Sequence, residues 1–319
     1  MIFYLFLKNF KIFLIFARVK TFYLFLILFY NEYMICNMCP RKCGIDREKA
    51  VGFCGEKSLK IARFMLHKFE EPIVSGKDSD KGSGAIFFSG CNMRCVFCQN
   101  YEISAGHKGE IITVDRLAKI FKQLEDMGAL NINLVSPTQF TSEIKKALDK
   151  YRPKIPIVWN SNGYESVSEI EGLKGYVDIF LVDLKYSDNN LAIKYSGAPN
   201  YFEISSACIK KMRELAPKDI IENGIMKKGM IIRQLVLPGA SQNSIDCLKF
   251  ICNEIGRDTI VSIMSQYEPM FKANEYKEIN RHITPLEYKR VVNFAINNEM
   301  TNCYTQDLSS ATKIYTPKF

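Results

Sequence analysis

Six short apolar runs, rich in β-branched residues, punctuate the chain: GAIFFSG (84–90), NINLVS (131–136), IPIVWN (155–160), DIFLVDL (178–184), MIIRQLVL (230–237) and IVSIMS (260–265). Each reads as a strand buried on both faces, as strands of parallel sheets are. Between them lie TVDRLAKIFKQLEDMG, with Asp115 near its start and Gly128 after its end, then TSEIKKALDKY, NNLAIKYS, FEISSACIKKMREL and NSIDCLKFICNEIG. Their apolar residues recur at three- and four-residue steps, the spacing of helices with one buried face. A last helix is expected from Pro285 in TPLEYKRVVNFAINN. Strand and helix in alternation predict right-handed βαβ units around a parallel sheet. Six strands fall short of a closed eight-stranded barrel, so the expected fold is α/β, a partial (β/α)6 TIM-like barrel.

Ligands of such folds collect at the carboxyl ends of the strands. Polar residues stand at that edge every time: Ser136-Pro137-Thr138-Gln139, Asn160-Ser161-Asn162-Gly163, Asp183 and Lys185, Arg233 with Pro238-Gly239, and Ser265-Gln266-Tyr267. After the first strand comes SGCNMRCVFCQN (89–100), with Cys91, Cys95 and Cys98.

The chain has 11 cysteines, and seven of them fall in two close groups, Cys36, Cys39, Cys43 and Cys54, then Cys91, Cys95 and Cys98. Without a secretory signal such clusters read as metal ligands in a reducing compartment, which places the protein in the cytoplasm. Cys208, Cys247, Cys252 and Cys303 read as small core residues. The first group is a complete four-ligand set, with zinc or a second iron–sulfur cluster as the alternatives. The second group, C-x3-C-x2-C, has three ligands. It belongs to a zinc site or four-cysteine cluster with a distant fourth ligand, or to a [4Fe–4S] cluster whose fourth iron is left open.

The net charge is +9, of which the first 33 residues contribute +3, leaving +6 from Met34 onward. No dense basic stripe with interleaved aromatics appears, which argues against nucleic acid as a partner. Residues 1–33 form a hydrophobic extension broken by Lys8, Lys11, Arg18 and Lys20. Its longest uncharged run is about half the ~20 residues a spanning helix needs. Three readings stand open: an interfacial helix, a soluble extension, and upstream sequence that is not translated, with the start at Met34. The expected divisions are thus 1–33, a cysteine-rich metal module at 34–75, the barrel at 84–300 and a C-terminal tail at 301–319. SGKDSDKGSG (75–84) is the expected flexible joint.

The loop CNMRCVFC after a first barrel strand resembles the radical S-adenosylmethionine superfamily. CNMCPRKCGIDR, GFCG, SPTQF, NSNGYES, DIFLVDLKYSDNN, IIRQLVLPG and MSQYEPMFKANEYKEINRHIT extend the resemblance to the group related to pyruvate formate-lyase activating enzyme. The resemblance implies an oxidoreductase in which Cys91, Cys95 and Cys98 hold a [4Fe–4S] cluster. The open iron binds the amino and carboxylate groups of S-adenosylmethionine, whose reductive cleavage yields a 5′-deoxyadenosyl radical that abstracts hydrogen. In activases the hydrogen comes from a glycine of a partner enzyme, and the electron from a flavodoxin- or ferredoxin-like donor. Phe97 is then expected beside the cluster or the adenine. Asn160, Ser161, Asn162, Asp183, Lys185 (as Asp-x-Lys) and Arg233 are expected around S-adenosylmethionine. Thr138 or Gln139 stands in for the family's Gly-Gly-Glu, Gln234 for a histidine, and MSQY for the activases' histidine-bearing final strand. Two alternatives remain: radical modification of another peptide or small molecule, and a non-catalytic electron carrier or zinc-bound interaction module. A salt bridge without function is the rival reading for Asp183, Lys185 and Arg233.

Overall fold

The computed structural model describes residues 35–77, 81–312 and 319. The hydrophobic extension expected at 1–33 lies outside them. Among the described residues no helix is long and apolar enough to cross a membrane.

The six apolar runs form strands β2 (Ser83–Phe88), β4 (Ile132–Val135), β5 (Ile157–Ser161), β6 (Ile179–Asp183), β8 (Ile225–Leu235) and β9 (Ile260–Met264). They pair in parallel and in sequence order. Four further strands join them: β1 (Lys60–His67), β3 (Glu110–Ile111), β7 (Ile220–Glu222) and β10 (Cys303–Thr305). The sheet runs β10-β9-β8-β6-β5-β4-β2-β1-β3 from edge to edge, with β7 paired to β8. β1 and β3 are antiparallel additions, so residues 60–67 of the segment expected as a cysteine module run into the main sheet. Residues 303–305 of the expected tail extend it in parallel beside β9.

A parallel sheet must bury both faces. One face is covered by the helices Val114–Asp126, Thr141–Lys150, Tyr201–Leu215, Ser241–Phe250 and Pro285–Asn297, whose apolar residues share the main core with Ile86, Leu134, Phe180 and Val182. Their ends are fixed locally: Thr113 caps the first, and Thr284 with Glu287 forms a capping box on the last. The opposite face buries Val158, Ile179, Leu181, Ile231 and Ile260 against Ile73 and Val74 of the short helix Pro72–Ser75. Residues from β2 through β9 border one cavity on this side of the sheet.

Successive residues of a strand point to opposite faces. The plugged face is therefore apolar at its lower level (Val158, Ile179, Ile231) and polar one or two steps later (Asn160, Asp183, Arg233), towards the carboxyl ends of the strands.

Residues 35–56 pack onto the loop that follows β2. Cys91 N–H donates to the carbonyl of Cys54 at 3.3 Å. Arg41 Nε donates to Asn92 O at 2.8 Å, and Arg94 donates to Phe53 O. Both guanidinium groups lie over the Phe53 ring, at 3.7 Å and 4.4 Å from its centroid. Such stacking adds cation–π attraction to the hydrogen bonds. Gly90 sits at this junction with φ of 77°, and a Cβ there would stand 2.6 Å from both Cys54 O and Glu56 Cγ. Gly90→Ala is expected to cost about 2 kcal/mol or more through left-handed strain and this clash. Urea unfolding measures it; a variant as stable as the parent would show that the packing of residues 35–56 on the loop is not tight.

Candidate active site

The three-cysteine loop is tied down on every side. Besides the Cys54 contact, Gly90 N–H donates to Ile103 O at 2.9 Å, and Arg94 and Val96 N–H donate to Ser196 O and Tyr195 O at 2.9 Å each. Asn162 Nδ2 donates to Asn92 Oδ1 at 2.8 Å, and Asn92 in turn donates to Tyr164 O. These bonds turn Cys91, Cys95 and Cys98 toward one cavity of about 240 Å³. Each sulfur also has its own polar neighbour: Asn162 Nδ2 at 3.5 Å from Cys91, Ser196 Oγ at 3.0 Å from Cys95 and Ser104 Oγ at 3.3 Å from Cys98. Burial, and then the neighbouring thiols, push Cys91 up to about 11 and Cys98 up to about 12. Cys95 is raised by burial, with Lys185 opposing.

The same cavity is lined by Phe97, Asn160, Ser161, Asn162, Asp183, Lys185 and Arg233. Phe97 also packs edge-on against Tyr267, with ring centroids 5.5 Å apart. Asp183 and Arg233 are register partners on β6 and β8. Arg233 donates from Nε to Asp183 at 2.8 Å, from Nη1 to Glu70 at 3.3 Å and from Nη2 to Asn160 at 2.5 Å. Lys185 pairs with the other oxygen of Asp183. Burial pushes the Asp183 carboxyl up, but Arg233 and Lys185 more than offset this and hold it below the ordinary range. Burial likewise opposes the charge on Lys185, yet Asp183 and then Cys95 hold its pKa above the usual value. These are buried, networked ion pairs facing a cavity rather than surface bridges.

Thr138 and Gln139 are not among the cavity-lining residues. The chain turns at Ser136, with φ of 56°, and both following side chains lie behind the wall. Gln139 Nε2 donates to the carbonyls of Ser89 and Ser136 at 2.9 Å and of Gly90 at 3.1 Å, bracing the base of the cysteine loop. Thr138 donates to Glu165 at 2.9 Å, a buried carboxylate that also accepts from Trp159 at 2.9 Å and Ser161 at 2.6 Å. Residues missed from the sequence include Glu70, His67 and Gln99, all on the cavity wall, where Gln266, expected at the edge after the sixth strand, also stands. Their only sequence signal was the pair Glu70-Glu71 beside Pro72 in an otherwise apolar stretch.

Cys36, Cys39, Cys43 and Cys54 come together beside this site. Cys36 N–H donates to Ile45 O at 2.8 Å and Gly44 N–H to Cys36 O at 3.1 Å, closing the turn that carries the first three. Burial pushes Cys39 up to about 11, with the other three thiols adding to it. Among the described residues no three Cys, His, Asp or Glu side chains converge on a point that could hold a single metal ion. Tetrahedral zinc needs all its sulfurs about 2.3 Å from one centre. A cluster takes one thiolate per iron, so its ligands stand farther apart, and three half-buried thiols around one cavity fit that donor set.

Residues 85–228 match the model of the Radical SAM superfamily. A relative from Methanocaldococcus jannaschii, itself an uncharacterized protein, is 34% identical over 279 residues, 83% of this chain and 75% of the relative. The chain belongs to the radical SAM superfamily. A second uncharacterized protein of the same organism is 23% identical over 294 residues, 84% of this chain and 80% of its own. Among solved structures, Streptococcus suis SuiB bound to S-adenosylmethionine is similar, with a TM-score of 0.49, 15% identity and 68% of this chain covered. This radical SAM chain spans about half of SuiB, 48% of its length. It has the catalytic-domain architecture of the superfamily and an α/β fold of the partial-barrel kind.

Removing Arg233 would leave Glu70 buried without its cation and Asp183 with Lys185 alone. Arg233→Met is expected to cost about 3–5 kcal/mol at pH 7. The Glu70 carboxyl, already pushed up by burial, would then titrate further above its unfolded value, so folding would take up a proton and the deficit would shrink as pH falls from 7 toward 5. Denaturant unfolding at both pH values reads this; a deficit independent of pH would show that the carboxylates find other partners.

Proposed function

We propose that this protein generates a 5′-deoxyadenosyl radical from S-adenosylmethionine and uses it to abstract hydrogen from a substrate. The observation that carries this reading is the shared cavity: the three thiols of the β2 loop open onto the same space as Asn160, Asp183, Lys185 and Arg233. Cys91, Cys95 and Cys98 would hold a [4Fe–4S] cluster, which when bound supplies the electron that cleaves the sulfonium C–S bond. The chain's own part is binding, orientation and exclusion of water. Lys185 offers a cation to the methionine carboxylate. Asn160 to Asn162 offer donors and acceptors to the nucleoside, with Phe97 as an apolar wall. Asn162, Ser196 and Ser104 stand beside the three sulfurs, where hydrogen bonds stabilise thiolate charge and tune the cluster potential.

The substrate assignment is finer. The group resemblance favours a glycine of a partner protein, reached through the open side of a six-stranded partial barrel, with a flavodoxin- or ferredoxin-like reductant. Another peptide or a small molecule requires the same radical start. Residues 34–75 would form a metal module on Cys36, Cys39, Cys43 and Cys54; of the two expected occupants, a second iron–sulfur cluster suits thiols that do not converge on one point better than zinc does. The Cys54–Cys91 hydrogen bond supports a working link between the two groups.

Protein reconstituted with iron and sulfide, reduced with dithionite and given S-adenosylmethionine is expected to release 5′-deoxyadenosine. Cys91→Ala, Cys95→Ala and Cys98→Ala are each expected to reduce release to the protein-free background. No product from a protein whose three thiols carry iron would sink the reading. Iron and zinc analysis of Cys36→Ala is expected to show loss of the module's metal with the cluster on Cys91, Cys95 and Cys98 retained. Unchanged metal content would remove the module assignment.

A further inference from the structure

Positive charge without countercharge collects between the two cysteine groups. Arg41 and Arg47 belong to residues 35–56 and Arg94 to the loop after β2, and among the described residues none of the three pairs with a carboxylate. Their donors go to neutral carbonyls: Arg41 Nε to Asn92 at 2.8 Å, Arg47 to Gln139 at 2.5 Å and Glu56 at 3.3 Å, and Arg94 to Cys91 at 3.1 Å, Met93 at 3.3 Å and Phe53. The Glu56 carboxylate itself is held by Lys60 at 3.6 Å and His107 at 3.1 Å. Elsewhere partly buried guanidinium groups have such a partner, Asp219 for Arg213 and Asp183 for Arg233. Two enclosed nitrogens, Arg41 Nη2 and Arg47 Nε, have no acceptor at all. An enclosed donor left unpaired costs more when its group is charged. The rings of Phe53 and Tyr164, 3.7 Å and 5.1 Å from Arg41, and of Phe140, 5.5 Å from Arg47, supply attraction but no net negative charge.

What the three arginines share is nearness to sulfur. Arg94 holds the carbonyl of Cys91. Arg47 Nη2 and the Cys54 thiol both donate to Glu56 O, at 3.3 Å and 3.8 Å. Arg41 stands two residues after Cys39 and bonds to Asn92, the residue after Cys91, so it feels the charge of a thiolate on either group. Neutral thiols would leave these cations unanswered, whereas thiolates on a metal would not. A [4Fe–4S] centre at its oxidised level is a monoanion on three thiolates and a dianion on four, and zinc on four thiolates is likewise a dianion. Three guanidinium charges match that sum, whichever metal the module takes.

We propose that Arg41 is a counter-ion shared by two anionic metal–thiolate centres, one on Cys91, Cys95 and Cys98 and one on Cys36, Cys39, Cys43 and Cys54. The assignment rests on the radical SAM reading of the loop and on the metal module. Reduction makes a cluster more negative, so a fixed cation beside it favours the reduced form and raises its potential. The same cation favours thiolate over thiol, and metal binding needs the thiolate, so it also holds the module's metal more firmly.

Redox titration of the reconstituted protein followed by electron paramagnetic resonance, together with metal release to excess EDTA, tests it. Arg41→Gln is expected to lower the loop cluster's midpoint potential so that its reduction equilibrium constant falls about tenfold, or about 59 mV for one electron. In protein also carrying Cys91→Ala, Cys95→Ala and Cys98→Ala, where the module is the remaining site, the same change is expected to speed metal release about tenfold. Arg41→Lys keeps the charge and gives up the planar stack on Phe53, and is expected to stay within about threefold of the parent in both readouts. A potential unchanged by Arg41→Gln, an effect on one centre without the other, or a shift in Arg41→Lys as large as about tenfold would each overturn the shared counter-ion. The last can be read even if Arg41→Gln takes up no iron. A parent protein with no cluster on the loop would sink the radical reading; a cluster whose potential ignores Arg41 would sink the counter-ion alone.

Discussion

Arg233 is the group on which the inner face of the sheet depends. A guanidinium taken out of water must be paired and hydrogen-bonded on its available edges, or its desolvation is not recovered. Here the edges are met by three different elements: Asp183 of β6, Asn160 of β5 and Glu70 of the plug. The pairing works only in the register that sets Asp183 opposite Arg233. A one-residue slip would turn either side chain to the helix-covered face, into the apolar core. It also works only if the segment before Pro72 enters the sheet's interior far enough to present Glu70. Strand register and plug depth are thus joint consequences of one buried cation.

The polar band has a corresponding cost. Interior-facing positions of small barrels ordinarily hold branched apolar residues, and the lower level of this sheet obeys, with Val158, Ile179, Leu181, Ile231 and Ile260. Nothing in folding alone calls for three carboxylates and two cations directly above them. A conflict between a local rule and an otherwise consistent fold marks a functional site. Polar groups fixed in a cavity by one another are also already oriented when a ligand arrives, so little reorganisation is left for the moment of reaction.

How far all this is legible in the sequence follows from what each element leans on. The six central strands are legible because burial on both faces demands unbroken apolar runs. β10 has only three residues and β1 mixes Lys60, Arg63 and His67 with apolar residues, so their pairing is decided by the sheet edge they meet. At the site, Asp183, Lys185 and Arg233 were legible because strand ends fix where they stand. Thr138 and Gln139 lie in a turn, and there the carbonyls of Ser89, Gly90 and Ser136 claimed the Gln139 amide. Glu70 was illegible for another reason: it meets Arg233 across 163 residues of chain, with no local periodicity to announce the contact.

The two cysteine groups differ in count, and the difference acquires a physical sense from how they are joined. As ligands, the four thiols among residues 36–54 would make a set that asks nothing more of the chain, whereas the three of the loop would leave one coordination position for something else. Cys54 is the last cysteine of the first group, and its carbonyl accepts from the amide of Cys91, the first of the second. Phe53 beside it is clasped by Arg41 from one group and Arg94 from the other. A metal bound by the first group would therefore stiffen the loop that presents the second. Conversely, disorder in the first group would loosen Cys91, the thiol beside Asn162. Mechanical support is sufficient reason for the association, and any passage of electrons between the groups would use the same contact.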